Sequence, residues 1–188
     1  LERKFWRERE KELVNKLHIQ ATTDQLTGIY NRRVIFEALD EAMENSKQSK
    51  DRQFATIMFD IDFFKQVNDN YGHAGGDAVL VSFAQLLQTE ISSPNIVGRI
   101  GGEEFLAILY LSPDEAKEFC VKLIHKINNN LVDFEGTEIK ISSSGGVAFS
   151  TETETSADLT NKADERLYEA KKNGRNRFTL HDSELVGE

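Results

Sequence analysis

The sequence predicts an α/β sandwich: a mixed or mainly antiparallel central sheet flanked by helices. Three observations predict it. Short apolar runs alternate with segments of helical periodicity along the chain. One run, Phe54-Ala55-Thr56-Ile57-Met58-Phe59, is apolar almost throughout, as a central strand covered on both faces has to be. In mid-chain, two further apolar runs flank Gly101-Gly102, the pattern of an antiparallel hairpin with glycines at its tip.

A chain of 188 residues suffices for one domain of ordinary size and an appendage. The formal charge of −9 argues against a general nucleic-acid or anionic-membrane surface, though not against a polyphosphate met by local cations or a bridging metal. The single cysteine, Cys120, excludes an internal disulfide and a cysteine-rich zinc site, and its apolar helical stretch suits a buried thiol. No run approaches the roughly 18 apolar residues of a membrane span, and no stretch of these residues reads as a signal peptide. The chain opens on leucine in mid-pattern, so a piece of a longer protein is expected.

Residues 1–21 read as a charged linker or stalk helix. Glu12 and Lys16 form an i,i+4 pair of favourable orientation, and Trp6, Leu13 and Leu17 share one seam that Glu10 interrupts. A polar helix this short is marginal alone, which favours the end of a dimerising stalk. Residues 22–31 are a break rich in turn formers, with Asp24, Thr27, Gly28 and Asn31. A helix follows over 32–46, with Val34, Phe36, Leu39 and Met43 inward. The strand at 54–59 delivers Asp60 and Asp62 to its C-terminal end, where ligands gather in layered α/β folds. Residues 63–70 read as a short helical turn, 71–77 as a glycine-rich loop, and 77–90 as a helix with Val79, Leu80, Phe83, Leu86 and Leu87 inward. After the hairpin, Pro113 opens a helix running to about residue 129. Residues 137–150 read as one or two strands broken at Gly145-Gly146. A helix over 156–173 carries the stripe Leu159, Ala163, Leu167 and Ala170, and Gly174 stops it. Residues 177–180 form a final edge strand, and 182–188 a disordered tail.

The chemistry lies in the carboxylates and glycines. The Gly101-Gly102 tip permits positive φ and close approach of a ligand, and Glu103 and Glu104 follow at once. If the two strands are neighbours, Asp60 and Glu103 stand at the same sheet edge. Hard oxygen ligands, with no spare thiols and few histidines, favour Mg²⁺ or Mn²⁺ for a phosphate-bearing substrate. Lys65, Lys171, Lys172 and Arg175 are the basic groups available to phosphates. Asp62 reads equally as support for a metal site or as a cap for the turn that follows. Arg99 reads as a phosphate contact or as the partner of a neighbouring acid. His73, between glycines, reads as structural, and His18, His125 and His181 show no ligand spacing.

Four ordered motifs carry a resemblance. The hairpin is Gly101-Gly102-Glu103-Glu104-Phe105. An opening signature, Asp24-Gln25-Leu26-Thr27-Gly28-Ile29-Tyr30-Asn31-Arg32-Arg33, precedes it. A central one, Asp60-Ile61-Asp62-Phe63-Phe64-Lys65-Gln66-Val67-Asn68-Asp69, leads to Tyr71-Gly72-His73 and Gly76-Asp77. A closing one is Leu167-Tyr168-Glu169-Ala170-Lys171-Lys172-Asn173-Gly174-Arg175-Asn176. Over residues 22–180 the chain resembles the GGDEF family of diguanylate cyclases, with Glu at the third place of the hairpin motif.

The resemblance implies a fold akin to nucleotidyl cyclase and polymerase palm domains, spanning residues 22–181. It implies that two GTP molecules condense to cyclic di-GMP with release of two pyrophosphates. By position, Asp60, Glu103 and the Ile61 carbonyl would ligate Mg²⁺ or Mn²⁺, and Asn68 and Asp77 would read guanine. Lys65, Lys171 and Arg175 would hold the phosphates, with the N–H groups of Phe63 and Phe64. Gly101 and Gly102 would leave room for the nucleotide, and Glu103 and Glu104 would flank the reacting groups. One departure stands out: Ser92 and Asn95 occupy the places where many relatives carry the Arg and Asp of an inhibitory product site, so no such site is expected. A two-fold symmetric product implies a homodimer, and a stalk implies an upstream sensor. The GTP requirement implies a cytoplasmic setting, while the full-length protein is compatible with membrane attachment. Two other functions compete: a silent GTP- or cyclic di-GMP-binding regulator, and a cyclase of relaxed base choice that makes cyclic GMP-AMP.

Overall fold

The computed structural model describes residues 2–181 and 184–187. Leu1 of the expected stalk, and residues 182, 183 and 188 of the expected tail, lie outside the described residues. The chain runs α1 (Glu2–Thr22), α2 (Arg32–Gln48), β1 (Ala55–Ile61), α3 (Phe64–Glu90), β2 (Ile96–Arg99), β3 (Glu104–Leu109), α4 (Pro113–Asn128), β4 (Leu131–Phe134), β5 (Thr137–Lys140), β6 (Ser143–Phe149), α5 (Ser156–Lys172), β7 (Arg177–Thr179) and β8 (Leu185–Gly187). Strands β2-β3-β1-β6-β7-β8 form one mixed sheet, in which only β6 and β7 pair in parallel, and β4-β5 make a separate hairpin.

β1 is buried at all seven positions because both faces of the sheet are covered. Its side chains alternate between two cores, as the two-residue strand period requires. Ala55, Ile57, Phe59 and Ile61 pack with α3 and α4, whereas Met58 packs with Ile35 and Leu39 of α2 and Leu159, Ala163 and Leu167 of α5. In the first core, Phe59 meets Phe83 and Phe178 edge-on, and Phe83 meets Phe105 likewise.

The helix stripes follow the caps. Asn31 caps α2 through its side chain on the Val34 N–H, and Ser112 with Glu115 forms a capping box on α4. The inner face of α2 is Ile35, Leu39, Ala42 and Met43, so the expected stripe was one position out at Val34 and Phe36, which are half-buried. The stripe of α5 is as expected. Helix α1 leaves Trp6, Leu13, Val14, Leu17 and Ile19 exposed. Its last turn is clasped to the start of α2. Asn31 donates from its backbone N–H to the Thr22 carbonyl and from Nδ2 to the Ala21 carbonyl, which also accepts from Arg33 Nη2.

Three expectations about loops and edges need correction, and the first two turn on close packing. The glycine-rich loop at 71–77 is instead part of α3, broken only at Gly72, whose φ of 71° and ψ of 176° kink the helix. Gly75 and Gly76 lie within the helix, where earlier residues of α3 pass too close for a side chain: a Cβ on Gly75 would lie 2.4 Å from Tyr71 Cβ. Likewise, Gly145-Gly146 does not break a strand but sits inside β6; the break falls between β5 and β6. A Cβ on Gly145 would meet the Phe178 ring at 1.9 Å, and one on Gly146 the Ala163 carbonyl oxygen at 1.9 Å. These glycines seat β7 and α5 against the sheet. Finally, β7 is not an edge: Leu185–Gly187, expected within a disordered tail, pair with it as β8.

Candidate active site

Asp60 is the penultimate residue of β1 and lies opposite Glu104 on β3 and Ser144 on β6. The antiparallel register thus brings the two acidic motifs to one sheet edge, and the Ile61 N–H donates to the Glu103 carbonyl at 3.3 Å. Asp60 is 8% exposed. Its Oδ2 pairs with Lys171 Nζ at 2.9 Å. Burial pushes the Asp60 carboxyl above its ordinary value; Lys171 pulls it back, and the negative charges of Glu103 and Glu104 add to the rise. A buried carboxylate in the field of two more is poised for a cation. Among the described residues no group of three or more His, Cys, Asp and Glu side chains is gathered to hold a metal. Asp60, Glu103 and the Ile61 carbonyl would suffice for Mg²⁺, which takes few protein ligands and completes its shell with water and phosphate oxygens.

The hairpin tip is fixed from behind. Gly101 and Gly102 do not adopt positive φ, contrary to expectation. Space is what they supply: a Cβ on Gly102 would touch nothing within 4 Å, and one on Gly101 would meet only the mobile end of Glu104. Arg99 resolves as structural. Its guanidinium donates to the carbonyls of Gly101 and Gly102 and pairs with Asp24 at 3.1 Å. Asp24 also accepts from the Thr27 N–H and hydroxyl. Arg32 donates to the Ile100 carbonyl at 2.8 Å. The opening motif therefore buttresses the tip, a role that residues 75 positions apart do not disclose in sequence.

The start of α3 lines the next wall. Phe63 stands before the helix with φ of 56°, a left-handed conformation that costs a non-glycine residue roughly 1 kcal/mol. The Phe63 carbonyl accepts from the Gln66 N–H at 2.8 Å and from the Val67 N–H at 3.3 Å, which closes the first turn of α3; the N–H groups ahead of them stand at a helix N-terminus, the end that suits an anion. Lys65 is exposed on this turn, and Phe64 is half-buried. Asn68 and Asp77 lie on either side of the Gly72 kink. A Cβ on Gly76 would lie 2.0 Å from Asn68 Oδ1, so the amide of Asn68 fills the notch beside exposed Asp77.

The end of α5 closes the site. Gly174, Arg175 and Asn176 all have positive φ (111°, 63° and 49°), and the Arg175 N–H donates to the Ala170 carbonyl in a Schellman-type stop. The Arg175 guanidinium lies 4.8 Å from the centroid of the Phe63 ring. Lys172 is exposed, on the turn that carries Lys171. Asp62 neither caps α3 nor faces the open site: it is 4% exposed and accepts from Ser142 Oγ, Ser144 Oγ and the Asn176 N–H. At the opposite side, Asn95 Oδ1 is taken by the Tyr110 N–H at 2.8 Å.

Residues 21–177 match the family described as diguanylate cyclase, GGDEF domain. The chain belongs to the GGDEF family of diguanylate cyclases. Diguanylate cyclase A of Treponema denticola is 34% identical over 168 residues, 87% of this chain and 45% of that protein. Diguanylate cyclase DgcS of Shewanella oneidensis is 34% identical over 170 residues, 90% of this chain and 56% of that protein. The chain thus spans about half the length of these curated relatives. Among solved structures, the coiled coil and GGDEF domain of DgcB from Caulobacter crescentus, in complex with c-di-GMP, superposes with a TM-score of 0.86 at 27% identity, covering 95% of each chain. Diguanylate cyclase SiaD of Pseudomonas aeruginosa, in complex with its activator SiaC, gives 0.82 at 32% identity over 94% of this chain and 68% of that one. No helix of the described residues in this GGDEF chain is long and apolar enough to cross a membrane.

Proposed function

We propose that this GGDEF domain is an active cyclase that condenses two GTP molecules into cyclic di-GMP and releases two pyrophosphates. One observation carries the reading: Asp60, the Glu103-Glu104 pair, the start of α3 and the end of α5 converge on one sheet edge, with acids and bases apportioned as a metal–triphosphate requires. Asp60, Glu103 and the Ile61 carbonyl hold Mg²⁺ or Mn²⁺. When bound, the ion neutralises phosphate charge and acidifies the attacking hydroxyl. Lys65, Lys171, Arg175 and the N–H groups of Phe63 and Phe64 hold the β and γ phosphates. Asn68 and Asp77 read the guanine edge; a carboxylate accepting from N1–H and the 2-amino group rejects adenine, which lacks that donor pair. Gly101 and Gly102 give the nucleotide room.

The 3′-hydroxyl oxygen of one GTP attacks the α-phosphorus of the other. The O3′–P bond forms as the bond to pyrophosphate breaks, and the hydroxyl proton passes to a carboxylate, with Glu103 and Glu104 the nearest candidates. Each subunit holds one GTP, and the product has two-fold symmetry, so two such sites face each other in a homodimer. Residues 1–21 act as the stalk that brings the half-sites together, under an upstream sensor in the same polypeptide, and residues 22–181 as the catalytic unit. The reaction takes place in the cytoplasm, where GTP is available.

The test is to incubate the chain with GTP and Mg²⁺ over a range of protein concentrations and separate the products chromatographically. Cyclic di-GMP should rise faster than linearly with protein and vanish on Glu103→Ala. No product from a demonstrated dimer would overturn the reading and leave a silent nucleotide-binding module. Substituting ATP in part for GTP should yield no mixed-base product.

A further inference from the structure

We propose that Asp62 is a positioning residue for the Arg175 guanidinium, through the hydrogen bond from the Asn176 N–H to its buried carboxylate. The proposal rests on the reading of Arg175 as a phosphate-binding group.

Three strands of geometry meet at this carboxylate. Its oxygens accept from Ser144 Oγ at 2.7 Å, from Ser142 Oγ at 2.8 Å and from the Asn176 N–H at 3.0 Å, and it is 4% exposed. Two of these donors belong to the entrance of β6, held in turn by the Asp62 N–H on the Ser142 carbonyl. The third belongs to the corner after α5. That corner would not persist unaided, because Arg175 and Asn176 are both left-handed without being glycine. A charged acceptor aimed at the Asn176 N–H is the strong kind of hydrogen bond that holds such a conformation.

The same bond registers both partners of the aromatic–cation stack. Phe63 directly follows Asp62, and Arg175 directly precedes Asn176. Phe63 is itself left-handed, at φ 56°, so its ring points out of the sheet edge and under the guanidinium at 4.8 Å. The Arg175 carbonyl is fixed as well, accepting from Arg177 Nε at 2.8 Å. The Asp62 carboxylate thus sets where Arg175 stands relative to the α3 turn that receives the phosphates.

The experiment measures binding of α,β-methylene-GTP, which cannot lose pyrophosphate, and of GMP, which has no β and γ phosphates. The variants are Asp62→Ser, too short to reach Asn176; Asp62→Asn, of native shape but uncharged; Arg175→Ala; and the double variants. Asp62→Ser is expected to weaken the triphosphate about tenfold and Asp62→Asn about threefold, both leaving GMP unchanged. In the Arg175→Ala background, neither Asp62 change should weaken the triphosphate further, since its effect runs through that guanidinium. Full additivity, or an equal loss for GMP, overturns the proposal. If Arg175→Ala leaves triphosphate binding unchanged, the phosphate reading of Arg175 falls and takes the proposal with it. If Arg175→Ala weakens binding and the Asp62 variants do not, only the positioning falls. Asp62→Asn supplies the same cycle if Asp62→Ser does not fold.

Discussion

Arg99 ties the hairpin tip to Asp24: one guanidinium edge holds the Gly101 and Gly102 carbonyls while Nη1 meets the Asp24 carboxylate. A flat, five-donor fork can do this and a single ammonium cannot. Asp24→Ala also strips Thr27 of its acceptor, so a loss of roughly 1–3 kcal/mol is expected, read as a lowered urea midpoint. Arg99→Lys should retain most of that stability but lower turnover, because the tip is no longer held at both carbonyls.

Lys171 is the counter-charge of Asp60. Removing it leaves the acidic edge more attractive to a cation. Lys171→Met should tighten binding of Mn²⁺ alone, measured by electron paramagnetic resonance without nucleotide, on the order of threefold to tenfold. The same variant should weaken the triphosphate.

Gly146 has no space for a methyl group. A Cβ there would overlap the Ala163 carbonyl oxygen and sit 2.4 Å from the Leu167 nitrogen, both backbone atoms of α5. Gly146→Ala should destabilise by about 3 kcal/mol or more, at the upper end for overpacking. Denaturant unfolding measures it, and an unchanged midpoint would contradict the packing described.

Acid should unfold the domain through two carboxylates. For Asp24, burial raises the pKa, but the Thr27 hydroxyl and N–H and the Arg99 charge outweigh it and leave the group below its ordinary value. For Glu152, burial is outweighed by the two-pronged pair with Arg166, the Phe149 N–H and the charges around it. The folded form therefore binds these protons less readily than the unfolded one. Their stabilisation is complete above the unfolded values, near pH 4, and is lost as pH falls through the lowered folded ones. Asp60 runs the other way: its raised pKa favours folding below the unfolded value, and that help is lost as pH rises through the folded one. Glu152→Gln should flatten the acid limb of stability, seen in urea midpoints between pH 7 and pH 3.

Product should inhibit weakly. Neither Ser92 nor Asn95 offers the charges of an inhibitory site, and the Asn95 side chain already serves the Tyr110 N–H. Initial rates with added cyclic di-GMP should stay flat at submicromolar levels.

What could be read from the sequence was whatever is local. The uninterrupted apolar run of β1 and the paired runs around Gly101-Gly102 disclosed the centre of the sheet and the edge where the acids meet. Glycines were the difficulty, because a glycine that relaxes the backbone and a glycine that admits a neighbour look alike. Gly72 does the first; Gly75, Gly76, Gly145 and Gly146 do the second, and the neighbours of Gly145 and Gly146 come from packing that no spacing reveals. Asp62 was ambiguous for the same reason. Its donors lie 80, 82 and 114 positions away, so its task became visible only once β6 and the corner after α5 were in place.

The clasp between the end of α1 and the start of α2 joins the first helix to the domain at more than its peptide link. Ala21 and Thr22 are bonded to Asn31 and Arg33, and Asp24, two residues past the end of α1, is bonded through Arg99 to the hairpin tip. The path from the end of α1 to the carbonyls of Gly101 and Gly102 thus runs through side-chain and backbone hydrogen bonds. On the proposed reading of α1 as a stalk, a rotation of its last turn is therefore expected to reach the hairpin tip through hydrogen bonds, along a route that meets the sheet only at Arg99.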